Sequence, residues 1–291
     1  MAIRLGRCDI AYRGDPEAYV HRAVEQGYSA ICAPPLMPAD SEAIAALERA
    51  AAAAGIVVGE AGAWRNLVAP DEAVRQANLA YACDVLAAAD EMGAVACVGY
   101  LGTVGHPGDG WGLSDNYDYG PHPDNLGEAG FERAVATARL LIDTVRPKRT
   151  KFCLEMVPWL ITGTPETYLR LIVAVDRPQF AAHIDAANMI VSPAHYFDTP
   201  AMLRHGFALL GPHVASAHAK DIVMQGGPGR ISFHMDEVPV GAGNLDYRAY
   251  LGELAALGRD VPLLLEHYTE PEYATSAAHI RKIAGEIGVA V

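Results

Sequence analysis

Four residues whose types suit metal chemistry close four apolar runs: Glu155 in KFCLEMVPW, Asp185 in AAHIDAAN, His218 in SAHAKDI and Glu266 in PLLLEHY. A carboxylate placed beside a run such as Leu263-Leu264-Leu265 carries a large desolvation cost unless a cation or hydrogen bonds compensate it. Taken singly, each acid reads equally well as a helix cap or an ion-pair partner. Taken together, three carboxylates and one imidazole form a hard, oxygen-rich donor set. That set suits a single divalent ion, Mn2+ first, with Mg2+, Co2+ and Zn2+ compatible with the same ligands, and it leaves about two of six positions for substrate oxygens. His183 and Lys220 each stand two positions from a proposed ligand, and alternation along a strand turns both toward the same face. His183 can orient substrate or move a proton, and Lys220 can stabilise an enolate oxygen or a leaving hydroxyl, unless the two simply hold Asp185 and His218 in place. Further candidates for substrate contact are Asn188, Glu60, His106 and Trp111, with Trp159 as an additional apolar wall for a sugar ring or an aromatic aglycone.

The elements that must bring these groups together follow from the pattern. Short apolar runs near 2–10, 28–34, 55–62, 93–101, 150–157, 180–187, 214–221 and 261–268 alternate with segments of helical period, as in repeated βα units. Helices are predicted after Asp15-Pro16 as far as Gln26-Gly27, and near 40–54, 70–91, 127–145, 165–175, 199–210, 245–257 and 271–287. Thr164 and Asn244 serve as start signals for two of them. The ligand candidates are 30, 33 and 48 residues apart. A βα unit of an eight-fold barrel averages roughly 31 residues, so the gaps equal one unit, one unit, and one unit with an inserted loop. The reading is a single α/β domain over residues 1–291, a (β/α)8 barrel. Long loops at about 102–126 and 222–244 extend from the ends of strands, the face on which barrel active sites are built.

Composition narrows the function. Hydrophobic residues make up 51% of the chain, enough for a large core, yet no apolar run approaches the roughly 20 residues of a membrane span. The net charge of −13 repels phosphate backbones and anionic surfaces, which argues against nucleic-acid and membrane partners. The amino terminus, MAIRLGRCDIAY, lacks the sections of a signal peptide, so the expected compartment is the cytoplasm. The five cysteines show no paired spacing, and reduced, buried thiols are expected, with neither a disulfide nor a cysteine-based zinc site. The segment GGPGR has neither the G-K-[ST] ending of a P-loop nor the context of a dinucleotide fingerprint, so no nucleotide cofactor is implied. The expected partners are a small carbohydrate or polyol and further copies of the chain, as a dimer or tetramer.

The pieces LEMVPW, HIDAANM, HAKD, VPVGAGNLDYRAYLGEL and LLLEHY together resemble the xylose isomerase-like barrel superfamily, in particular its sugar phosphate isomerase/epimerase branch. The resemblance covers most of the chain. It implies that Glu155, Asp185, His218 and Glu266 bind the metal, and that Glu155 and Glu266 also pass a proton to and from a substrate held as a metal-bound enediolate. Several ketose epimerases of that family carry a substrate-binding histidine where this chain has Asn188, and HAKD matches dehydratase-like and general isomerase-like members. The expectation is therefore a metal-dependent sugar, polyol or keto-sugar isomerase or epimerase. A lyase is the alternative, acting by inosose-type dehydration or by cleavage of an oxidised C-glycoside. A phosphodiester hydrolase of the apurinic endonuclease type is a third reading, opposed by the net charge.

Overall fold

The structure, a computed structural model, describes residues 2–106, 109, 118–226 and 233–291. Eight parallel strands close into a barrel: β1 (Ile3–Arg7), β2 (Ala30–Cys32), β3 (Val57–Gly62), β4 (Ala96–Gly99), β5 (Lys151–Leu154), β6 (Phe180–Asp185), β7 (Val214–Ala219) and β10 (Val261–Leu265). They neighbour one another in chain order, and β1 pairs with β10 to seal the ring. Strands buried on both faces carry continuous apolar runs, as VPLLL in β10 does. Each strand is shorter than its apolar run. Glu155 and Glu266 therefore lie one residue past β5 and β10, on the mouth rather than in the wall.

The outer helices are α1 (Pro16–Glu25), α2 (Ser41–Ala54), α3 (Glu72–Met92), α4 (Glu128–Val145), α5 (Pro165–Val175), α6 (Pro193–Phe197), α7 (Thr199–Leu210), α8 (Tyr247–Ala256) and α9 (Glu270–Ile287). Their starts follow capping chemistry. The Asp15 carboxylate accepts from the N–H groups of Glu17 and Ala18, and Thr164 Oγ1 accepts from Thr167 N–H. Of the apolar positions that recur at helical spacing in α3, Leu79, Ala82, Val85 and Leu86 are buried, while Val74 and Ala77 near its start are exposed. The start signal for α8 is Asp246, whose side chain accepts from Ala249 N–H; Asn244 instead donates its amide to Tyr196 O at 2.5 Å. No helix among the described residues is long and apolar enough to cross a membrane.

Two expectations are corrected. The segment after β7 is not a bare loop but an antiparallel hairpin, β8 (Asp221–Gly226) and β9 (Phe233–Val238). Its base is fixed by buried Asp221, which accepts from the N–H groups of Gly241, Gly243 and Leu245 at 2.9–3.1 Å. A Cβ on Gly243 would lie 2.2 Å from that carboxylate, which is why glycine stands there. Secondly, Cys8 and Cys32 are joined as a disulfide, whereas Cys83, Cys97 and Cys153 are free. Pairing of neighbouring strands, which residue spacing does not reveal, brings the two together.

Candidate metal centre and substrate cavity

The ends of β5, β6, β7 and β10 bring Glu155, Asp185, His218 and Glu266 together, with one donor atom from each lying within 4.8 Å of all the others. All four residues are buried. His218 Nδ1 stands 2.9 Å from Glu266, 3.5 Å from Glu155 and 3.8 Å from Asp185. The Lys220 ammonium lies 2.8 Å from Asp185 and 3.6 Å from Glu155, and is paired with Glu266. Asn188 donates its amide to Asp185 at 3.0 Å and to Glu155 at 3.4 Å. Tyrosines behind the strands hold the backbone of these positions. Tyr250 and Tyr247 donate to the carbonyls of His218 and Lys220, and Tyr168 donates to Leu154 O while accepting from His183 N–H.

A divalent ion fits this arrangement. The Nε2 of His218 lies 3.2 Å from a carboxylate oxygen of Glu60, which fixes the N–H on that side. Nδ1, among three carboxylates, has no hydrogen-bond partner among the described residues. A ring whose far nitrogen donates to a carboxylate and whose near lone pair faces acids is arranged as a metal ligand.

The electrostatics show how the cluster balances its own charge. Burial alone pushes His218 and Lys220 toward their neutral forms, but the surrounding carboxylates outweigh it and hold both pKa values well above the ordinary. Burial likewise opposes the charge on Asp185 and Glu266, yet Lys220 and His218 hold both acids below the usual range. For Glu155 burial prevails and its pKa is raised.

Above the quartet opens a cavity of about 720 Å3. Glu155, Asn188, Lys220 and Glu266 reach it from the floor, and Trp64, Tyr100, Tyr119 and Trp159 form an aromatic wall. Tyr100 packs on Tyr119 at 4.7 Å and on Trp64 at 5.7 Å between ring centres. Glu237 from β9 and His267 complete the rim, with the His267 ring 3.2 Å from Glu237. His267 takes a left-handed φ of 66° directly after Glu266.

The other candidates from sequence are placed differently. His183 lies beneath the quartet, with its Nδ1 2.7 Å from Ser216 Oγ and its ring edge-on to His218 at 4.1 Å. Burial first, then the neighbouring His218, holds its pKa well below the ordinary value. Glu60 is buried against His218 rather than facing the large cavity. His106 is exposed and does not line the cavity. Trp111 lies outside the described residues. Sequence reasoning missed Trp64, Tyr100, Glu237 and His267, while Tyr119 lies in the long segment at 102–126 that it singled out. For Trp64, Tyr100 and His267 the signal was position, since each stands just past a strand end at the mouth.

The family described as xylose isomerase-like TIM barrel matches residues 20–283. Among solved structures, the chain is similar to a xylose isomerase-like TIM barrel protein from Mycobacterium smegmatis in complex with magnesium. That match has 20% identity and a TM-score of 0.66, and covers 93% of this chain and 88% of the other. It is also similar to 3-keto-D-glucoside 4-epimerase from E. coli, with 18% identity, a TM-score of 0.67, and 96% and 99% of the two chains covered. A probable 3-DHS dehydratase from Bacillus anthracis matches at 14% identity and a TM-score of 0.67, over 98% and 99%. No curated protein matches the sequence significantly.

Proposed function

The chain belongs to the xylose isomerase-like TIM-barrel family, and from that premise we propose that it is a divalent-metal-dependent isomerase or epimerase acting on a small carbohydrate, polyol or keto-sugar. The observation that carries this reading is the buried Nδ1 of His218 among the carboxylates of Glu155, Asp185 and Glu266, two of which, Glu155 and Glu266, reach the aromatic-walled cavity. These four residues would hold the ion, with Mn2+ first among the candidates. When bound, it supplies Lewis acidity toward a substrate carbonyl and the hydroxyl beside it.

The chain's own groups do the rest. Glu155 faces the cavity with Glu266, and the two can serve a carbon from different strand ends, one accepting a proton and the other returning it. Asn188 and Lys220 present N–H donors to substrate oxygens. His183, shut off from the cavity, positions His218. The aromatic wall gives apolar sugar faces a surface and excludes water.

One observation favours a second reading. The Lys220 ammonium sits beside both glutamates at the cavity floor, where it can donate a proton to a leaving hydroxyl, so a lyase on a related substrate uses the same groups. Proton NMR in D2O separates the two. Deuterium on an intact carbon skeleton is expected, and an unsaturated or cleaved product would favour the lyase. Metal analysis tests the premise: Glu266→Gln and Asp185→Asn are expected to lose bound ion, and unchanged content in both would overturn it.

A further inference from the structure

We propose that Cys8 and Cys32 form a reversible thiol–disulfide pair that supplies or withdraws a sulfur ligand at the metal centre, so that the ion the centre accepts depends on the redox state of the pair. This rests on the quartet being a metal site. The register of β1 on β2 sets Gly6 against Ala30 and Arg7 against Ile31, which leaves Cys8 beside Cys32 just past the paired residues. A Cβ on Gly6 would meet the carbonyl of Ala30 at 2.4 Å, so the bare glycine lets the two strands approach. The Cα atoms of the cysteines are 4.7 Å apart, within the range that a disulfide spans.

Cys8 of the pair also borders the centre. The Cys8 sulfur and donor atoms of His218 and Glu266 all lie within 4.8 Å of one another, as do the sulfurs of Cys8 and Cys32 and an oxygen of Glu60. Cys8 is half-buried, and a separate cavity of about 230 Å3, lined by Cys8, Cys32, Glu60 and Glu266, adjoins the pair. By contrast, Cys97 and Cys153 are fully buried.

The chemistry balances. Two thiols give up two protons and two electrons to a peroxide, which leaves as two waters, and the S–S bond forms. A dithiol reductant reverses the step. Oxidised, the centre offers only oxygen and nitrogen donors and suits a hard ion. Reduced, Cys8 loses its proton to solvent on binding and adds a thiolate beside His218 and Glu266, which favours softer ions such as Zn2+ or Co2+.

Co2+ is the probe, because a thiolate ligand gives it a sulfur-to-metal charge-transfer band in the near ultraviolet. The full-length protein is titrated after reduction and after hydrogen peroxide, with bound cobalt counted by metal analysis and the cross-linked peptide identified by mass spectrometry. Expected are a Cys8–Cys32 cross-link and no band after peroxide, and a band after reduction. In reductant, Cys32→Ser is expected to keep the band and Cys8→Ser to lose it while still binding cobalt. A band that persists in Cys8→Ser or after oxidation, the absence of the cross-link, or cobalt bound with no band in any form would overturn the proposal and leave the quartet standing. No cobalt bound in any form would remove the quartet reading and this one with it.

Discussion

His218 divides two tasks between its ring nitrogens, and Glu60 decides the division. Its carboxylate takes the Nε2 hydrogen at 3.2 Å, so the lone pair of a neutral ring falls on Nδ1, toward the three acids. Removing the charge while keeping the shape should weaken this preference without emptying the space. Glu60→Gln is therefore expected to lower Mn2+ affinity by about tenfold, the lower end of what partners of ligand histidines contribute. Calorimetric titration reads it, and an unchanged affinity would leave Glu60 without a part in the centre. His183 follows the same reasoning one layer down. With Nδ1 turned to Ser216 and its ring against His218, it does not line the large cavity and would act by stiffening His218.

At the scale of elements, the barrel depends on short clamps between helix ends and strand starts. Asp90, near the end of α3, accepts from the N–H groups of Lys148, Arg149 and Thr150 at 2.6–3.0 Å and so fixes the entry to β5. Partial burial opposes its charge, but these backbone donors outweigh it and depress its pKa. A depressed carboxylate contributes stability above its unfolded pKa of about 3.9 and loses it as the pH falls through the folded value. Asp90→Asn should thus cost about 1 kcal/mol at neutral pH, and urea unfolding should show the gap closing below about pH 4. A gap constant from pH 7 to pH 3 would show that the charge is not what the clamp uses. The elements were legible in the sequence to different depths. All eight strands and the major helices stand in the predicted order, because period and capping residues such as Asp15 and Thr164 are local signals. The hairpin of β8 and β9 escaped because glycines and prolines around it outweighed the alternation in FHMDEV. The Cys8–Cys32 pair escaped because parallel strands join residues a whole βα unit apart, 24 positions here, where no local motif exists. Likewise, β-strand spacing put Glu155, Asp185, His218 and Glu266 on one mouth, but it could not show that Glu60 points at His218 rather than into the cavity.

For the whole molecule, the quartet is a concentration of charge in a chain that already carries a net charge of −13. Glu155, Asp185 and Glu266 are buried within reach of one another, with Lys220 and His218 as the balancing groups. An ion that binds this folded arrangement and not the unfolded chain must raise stability by mass action, by about 2.7 kcal/mol at one hundred times its dissociation constant. For a domain of this size each kcal/mol moves the melting temperature by roughly 2 °C, so Mn2+ at that excess should raise it by about 5 °C, and a chelator should reverse the rise. The location of the effect is the sharper test. Because the ends of β5, β6, β7 and β10 each supply one of the four groups, an ion held by them would tie half the barrel together. Asp185→Asn or Glu266→Gln alone should therefore abolish most of the increment. Calorimetric scans of the wild type and both variants, each with Mn2+ and with chelator, make the comparison. Equal increments in all three proteins would mean that the stabilising ion sits elsewhere on an acidic surface, and that the quartet holds itself together through Lys220 and His218 alone.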